Sequence, residues 1–121
     1  MPVTHYKQLT VWQKAMALVK DVYEITASFP KQEQFGLVSQ LRRAAVSIPS
    51  NIAEGQGRMS SGEFIQFLGI ARGSLHEVET QLIVACDLGF LKKADLERLG
   101  TSVQEVGRLL NGLIRSLKSK K

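Results

Sequence analysis

The residues best placed to do chemistry fall in one stretch, Gln40-Leu41-Arg42-Arg43-Ala44-Ala45-Val46-Ser47-Ile48-Pro49-Ser50-Asn51-Ile52-Ala53-Glu54-Gly55. Arg43, Ser47, Asn51 and Glu54 stand at i, i+4, i+8 and i+11, a spacing that lines one stripe of a helix. A guanidinium, a hydroxyl, a carboxamide and a carboxylate so arranged can bond to a facing helix or present a polar surface to a ligand. A later set, Arg72, His76 and Glu79 with Glu77 on its flank, is spaced to face that stripe. Ala44, Ala45, Ala53 and Gly55 are small enough to let a neighbouring helix come close. Polar groups beside a core cost about 1–3 kcal/mol each when left unpaired, which favours a mutually satisfied network over an open site. Three readings stay open: a network that fixes how helices align, a network at a subunit interface, and a ligand or nucleic-acid site.

Other chemistries find little support. The histidines are His5 and His76, and no Glu-x-x-His pair of the kind that builds carboxylate-bridged metal centres in bundles is present. There is no Gly-x-Ser-x-Gly elbow and no second base to activate a nucleophile. Gly55-Gln56-Gly57-Arg58 lacks the preceding strand and the spacing of a phosphate loop and reads as a helix stop. No catalytic residue, metal, cofactor or small-molecule substrate is therefore expected, and nothing in the sequence points to an enzyme. The single cysteine, Cys86, excludes an internal disulfide. Its apolar neighbours predict a buried core thiol, which suits a reducing cytoplasm. Residues 1–9 are polar and lack the apolar core of a signal peptide. No run approaches the ~18 apolar residues of a membrane span.

The net charge of +5 and pI near 9.6 favour polyanionic partners weakly. The end of the chain, Lys118-Ser119-Lys120-Lys121, supplies three of those charges, and subtracting them from +5 leaves +2. Arg108 and Arg115, seven apart on one helix face, are extended by Lys118, while Arg42 lies within the polar stretch and Arg58 just beyond it. Cations so arranged would contact the phosphates of RNA or DNA rather than read bases. No aromatics interleave with them, so stacking on single strands is poorly supported.

Four apolar-periodic segments must position these groups. They predict one all-α domain, an antiparallel up-down, left-handed four-helix bundle with helices at about 10–28, 32–56, 61–88 and 93–117 and a basic tail at 118–121. Thr10 with Gln13 and Ser60 with Glu63 read as capping boxes. Phe29-Pro30 ends the first helix, because the residue before proline is pushed out of helical space. Pro49 sits inside the second segment, yet the apolar register continues to Ile52, so one helix bent near Pro49 is expected, with two short helices as the alternative. Gly89-Phe90 reads as a left-handed cap. In the fourth segment Leu96, Leu99, Val103, Val106, Leu110, Leu113 and Leu117 alternate strictly by three and four. Leu18, Ile25, Leu109 and Ile114 exceed what the seam of one core needs, so part of that flank is expected to be buried between subunits.

The ordered motifs of the chain resemble a known family. Trp12-Gln13-Lys14-Ala15 comes first, then Phe29-Pro30 with Glu33 and Phe35-Gly36-Leu37. Gln40 through Gly55 with Arg58 follows, then Glu63-Phe64, Phe67-Leu68 and Ala71-Arg72-Gly73-Ser74-Leu75 with Glu77. These are similar to the four-helix bundle proteins encoded in intervening sequences of bacterial 23S ribosomal RNA genes. The resemblance implies a ring-like homopentamer. It also implies kinship in fold with the accessory variability protein of diversity-generating retroelements, a basic barrel that associates with a reverse transcriptase and nucleic acid. For most of the family it implies no established activity.

Overall fold

The computed structural model describes residues 5–119, and those residues contain four α-helices and no strand. The helices are α1 (Thr10–Thr26), α2 (Leu37–Gln56), α3 (Ser61–Asp87) and α4 (Lys93–Lys118). Short 3₁₀ turns at Tyr6–Gln8 and Lys31–Glu33 precede α1 and α2. Of the basic tail, Lys118 closes α4, whereas Lys120 and Lys121 lie outside the described residues.

The helix ends follow from local chemistry, with two departures from expectation. Ser60 caps α3, its hydroxyl accepting from the Glu63 amide at 3.2 Å. At the other end of α3, Gly89 adopts a φ of 81°. The Phe90 amide reaches back to the Ala85 carbonyl at 2.9 Å and the Gly89 amide to Cys86 at 3.0 Å, a complete Schellman closure. Thr10, by contrast, does not cap α1. It is the first helical residue, the cap position is Leu9, and Gln13 Nε2 donates instead to the Lys7 carbonyl at 2.9 Å. Residues 32–36 are not part of α2. Glu33 stands outside the helix and caps it, its Oε1 accepting from the Leu37 amide at 3.2 Å.

α2 is continuous through Pro49, so the alternative of two short helices does not hold. Each helix packs on its neighbours in the chain and α4 closes on α1. The facing residues run in opposite directions: 40 lies by 81 and 47 by 74 across α2 and α3, 72 by 111 across α3 and α4, and 14 by 105 and 21 by 98 across α1 and α4. One core fills the space between them, with Leu18, Leu41, Ile48, Ile52, Leu68, Leu75, Leu82, Leu99 and Leu110 fully enclosed. Burying an aliphatic side chain of this kind is worth roughly 1.5–3 kcal/mol.

The expectation of an apolar excess on α1 and α4 is overturned. Leu18, Ile25 and Ile114 are core residues, and Leu109 packs partly buried against them. Where two helices close on one another, each buries a stripe at least about 100° wide, so residues beside the strict seam are consumed by the bundle itself. Cys86 is likewise only partly buried rather than enclosed.

Candidate functional site

α2 presents two different flanks. Toward α3 it carries the polar stripe. At Gly55 the two helices approach closely: a Cβ built there would stand 2.7 Å from Phe67 Cβ and 2.9 Å from Phe64 Cδ1. That contact draws the backbones together, and polar side chains bridge them further along. Ser47 Oγ and Ser74 Oγ lie 2.9 Å apart. Asn51 Nδ2 donates back to the Ser47 carbonyl at 2.8 Å and to its hydroxyl at 3.0 Å. One to two turns away, Gln81 Nε2 donates to Gln40 Oε1 at 3.2 Å and, more weakly, to Glu77 Oε2 at 3.4 Å. Gln81 is only 9% exposed, and its Oε1 is enclosed without a partner among the described residues.

The stripe therefore splits. Ser47 and Asn51 join a network across the seam. Arg43 stands exposed at its edge with no hydrogen bond or ion pair among the described residues. Glu54 takes no part and instead accepts from Arg58 Nη2 at 2.6 Å, just past the end of its own helix. Arg58 also lies over the Phe67 ring, 4.7 Å from its centre. The partner set expected from α3 needs correction. Arg72 faces α4, where Nη1 donates to Asn111 Oδ1 at 2.8 Å. His76 is exposed, and the groups that meet α2 are Ser74, Glu77 and Gln81. The reason is geometric: at about 100° per residue, Arg72 and Ser74 point to opposite flanks of α3.

Toward α1, α2 is apolar outside. Trp12, Met16 and Val19 of α1 lie along Val46, Pro49 and Ala53 of α2 in an open groove of about 270 Å³. It continues into a larger groove of about 590 Å³ bounded by Tyr23, Phe35, Val46, Arg42 and Arg43. Phe35 is 91% exposed, and Met16, Tyr23 and Val46 are each exposed by two-fifths or more. These side chains, rather than Leu18, Ile25, Leu109 and Ile114, are the unburied apolar surface on this side of the molecule.

Arg42, expected as a nucleic-acid contact, is engaged at the floor of this groove. Its Nε donates to Thr26 Oγ1 at 2.9 Å and its Nη2 to the Tyr23 carbonyl at 3.3 Å, with the guanidinium 4.4 Å from the Tyr23 ring centre. Thr26 in turn donates to the Val22 carbonyl at 2.7 Å. A cation from α2 thus answers the free carbonyls and the negative dipole end of α1. The apolar character of the sequence around Thr26 carries no sign of this, because the partner lies sixteen residues on.

Three further cations lie along the second half of α4. After Glu105 the chain carries no acidic residue, and Arg108, Arg115 and Lys118 stand exposed. Arg72 joins them through Asn111. Among the described residues no group of three or more His, Cys, Asp or Glu could hold a metal ion, and no helix is long and apolar enough to cross a membrane.

Comparison with known proteins decides the relationship. Residues 7–112 match the family model described as 23S rRNA-intervening sequence protein. The chain belongs to that family. A solved structure from Bacteroides thetaiotaomicron VPI-5482, a protein of unknown function from the S23 ribosomal protein family, superposes with a TM-score of 0.78 at 24% identity. The match covers 87% of this chain and 98% of that one, and at this identity it speaks for the fold alone. No curated protein matches the chain. The matched span of the 23S rRNA-intervening sequence family takes in both flanks of α2, the α3 seam and most of α4, so the polar seam, the apolar groove and Arg108 lie within it, and Arg115 and Lys118 lie beyond it.

Proposed function

We propose that the chain is a non-catalytic scaffold of the cytoplasm that assembles with copies of itself, as a pentameric ring by family resemblance, and binds RNA or DNA weakly and without sequence preference. The observation that carries the assembly is the aromatic-lined groove between α1 and α2. Phe35, Tyr23, Met16 and Val46 expose contiguous apolar surface that a second copy would remove from water, at about 25 cal/mol per Å². The polyanion reading rests on Arg108, Arg115 and Lys118, exposed along the second half of α4 with no acid after Glu105 in the chain, and on Arg72, tied to that helix through Asn111. Such contacts act through phosphate and weaken steeply with salt.

Light scattering on the purified chain tests the assembly. The expected result is a mass several times the 13.4 kDa of one chain, reduced toward one chain by Val46→Asp; a wild-type monomer at micromolar concentration overturns the reading. Titration of RNA fragments against salt tests the second part. Replacing Arg72, Arg108 and Arg115 by Gln should flatten the log–log salt slope by roughly 0.7–0.9 for each phosphate that the variant no longer neutralises. Absence of binding even at low salt leaves an assembling protein-interaction module, and recovery of a specific protein partner after nuclease treatment would support that alternative.

A further inference from the structure

Beside the Ser47–Ser74 bridge, the α2–α3 seam opens into a recess of about 350 Å³ lined by Gln40, Arg43, Ala44, Ser47, Ser74 and Glu77. That volume is at the small end of ligand sites. Its lining is mostly polar, and Gln40, Ser47 and Ser74 are held by hydrogen bonds across the seam. Gln81 Nε2 donates to Gln40 Oε1 and, more weakly, to the Glu77 carboxylate, which can only accept. Gln40 meets Gln81 with its oxygen in this arrangement, and its Nε2 hydrogens have no acceptor among the described residues. Ser47 and Ser74 share a single hydrogen bond. Two hydroxyl protons and one bond between them leave one O–H to donate elsewhere. Arg43 adds a guanidinium with no partner among the described residues. Three donors thus border one recess, and Glu77 supplies a carboxylate on its α3 side. Arg43 and Glu77 line the same space without forming an ion pair.

We propose that this recess binds a small zwitterion, a free α-amino acid. Its carboxylate meets Arg43, Gln40 Nε2 and the spare serine hydroxyl, and its ammonium meets Glu77. The chemistry is that of charge-assisted bonds at both ends of the ligand, the stronger class of hydrogen bond. The site departs from the sequence-based expectation that no small molecule is bound, and it rests neither on the assembly nor on the polyanion reading.

The test is calorimetric titration of the purified chain with the standard α-amino acids, each also as its N-acetyl and methyl-ester form. At least one amino acid should bind saturably, and capping either end should weaken it about tenfold or more, the loss expected for one charged bond. Arg43→Gln should weaken the free acid by a similar factor and leave the methyl ester unchanged. Glu77→Gln should weaken the free amine and leave the N-acetyl form unchanged. Arg108→Gln, remote from the recess, should bind as the parent does. Thermal melts establish that each variant is folded, and the capped ligands on the parent chain decide the matter even where a variant is not. No saturable heat at millimolar amino acid, or equal binding of the free and capped ligands, overturns the proposal.

Discussion

The two flanks of α2 are solved by opposite means. Toward α3 the backbones approach until a methyl group would not fit at Gly55, and the side chains that bridge the seam are polar. Toward α1 the helices stand further apart, bulky side chains fill the space from outside, and a rim of aromatic and aliphatic surface is left exposed. The difference teaches where function can sit. The polar seam answers most of its groups within the chain and leaves a few at the edge of one recess, whereas the apolar groove is stabilised further only by something that covers it.

The largest expected effect tests the closeness of the α3 flank. Gly55→Ala should destabilise the fold by about 1–3 kcal/mol, because overpacking against Phe67 and the Phe64 carbonyl outweighs the helix propensity gained. Denaturant melts measure it, and a neutral or stabilised variant would show that the seam can open without loss. Next, the two adjacent arginines should behave differently. Arg42→Met removes a partly buried charged bond to Thr26 and should cost roughly 1.5 kcal/mol. Arg43→Met should stay within about 0.5 kcal/mol, as for an exposed side chain free of partners among the described residues. Equal losses would break the distinction between an internal and an outward cation. Smaller again, Ser47→Ala and Ser74→Ala should each cost about 1 kcal/mol, and the double variant should cost less than both together, with a coupling of about 0.5 kcal/mol or more. Additive losses would mean that the serines do not act as a pair. The smallest change is a gain. A Cβ at Gly73, on the exposed side of α3, meets nothing within 4 Å, so Gly73→Ala should stabilise by about 0.5–1 kcal/mol. Comparison with Gly55 separates glycine required by contact from glycine that only weakens a helix.

How much of this is legible in the sequence depends on how far each decisive contact reaches. The number of helices, the start of α3 at Ser60 and its stop at Gly89 rest on neighbours within a turn or two, and periodicity exposes them. The close approach at Gly55 is visible as a run of small residues, though the opposing phenylalanines are not. The orientation of α3 escapes a sequence reading because Arg72 and Ser74 are two residues apart, and choosing between their flanks requires the direction of the core, which only the packed helices define. The sequences of α1 and α4 are rich in apolar residues and point to spare surface there. The flank named for that role is core instead, and the exposed apolar side chains stand elsewhere, among them Phe35, Met16, Tyr23 and Val46 around the α1–α2 groove and Ile70 and Ile83 on α3, since a bundle buries a wider arc than its seam positions alone. The Arg42–Thr26 contact spans two elements and leaves no local trace.

Gly55 also decides which misfolded alignments are unavailable. If α2 slid one turn along α3, Asn51 would take the place of Gly55, and its side chain would be driven into the space held by Phe64 and Phe67. A slide the other way would bring Arg58 or Met59 there, and neither fits better. The same slide would part Ser47 from Ser74 and Gln40 from Gln81. Competing alignments of otherwise similar apolar stripes are thereby penalised twice, once by volume and once by unmet hydrogen bonds, so a single residue without a side chain helps confine the chain to one folded state.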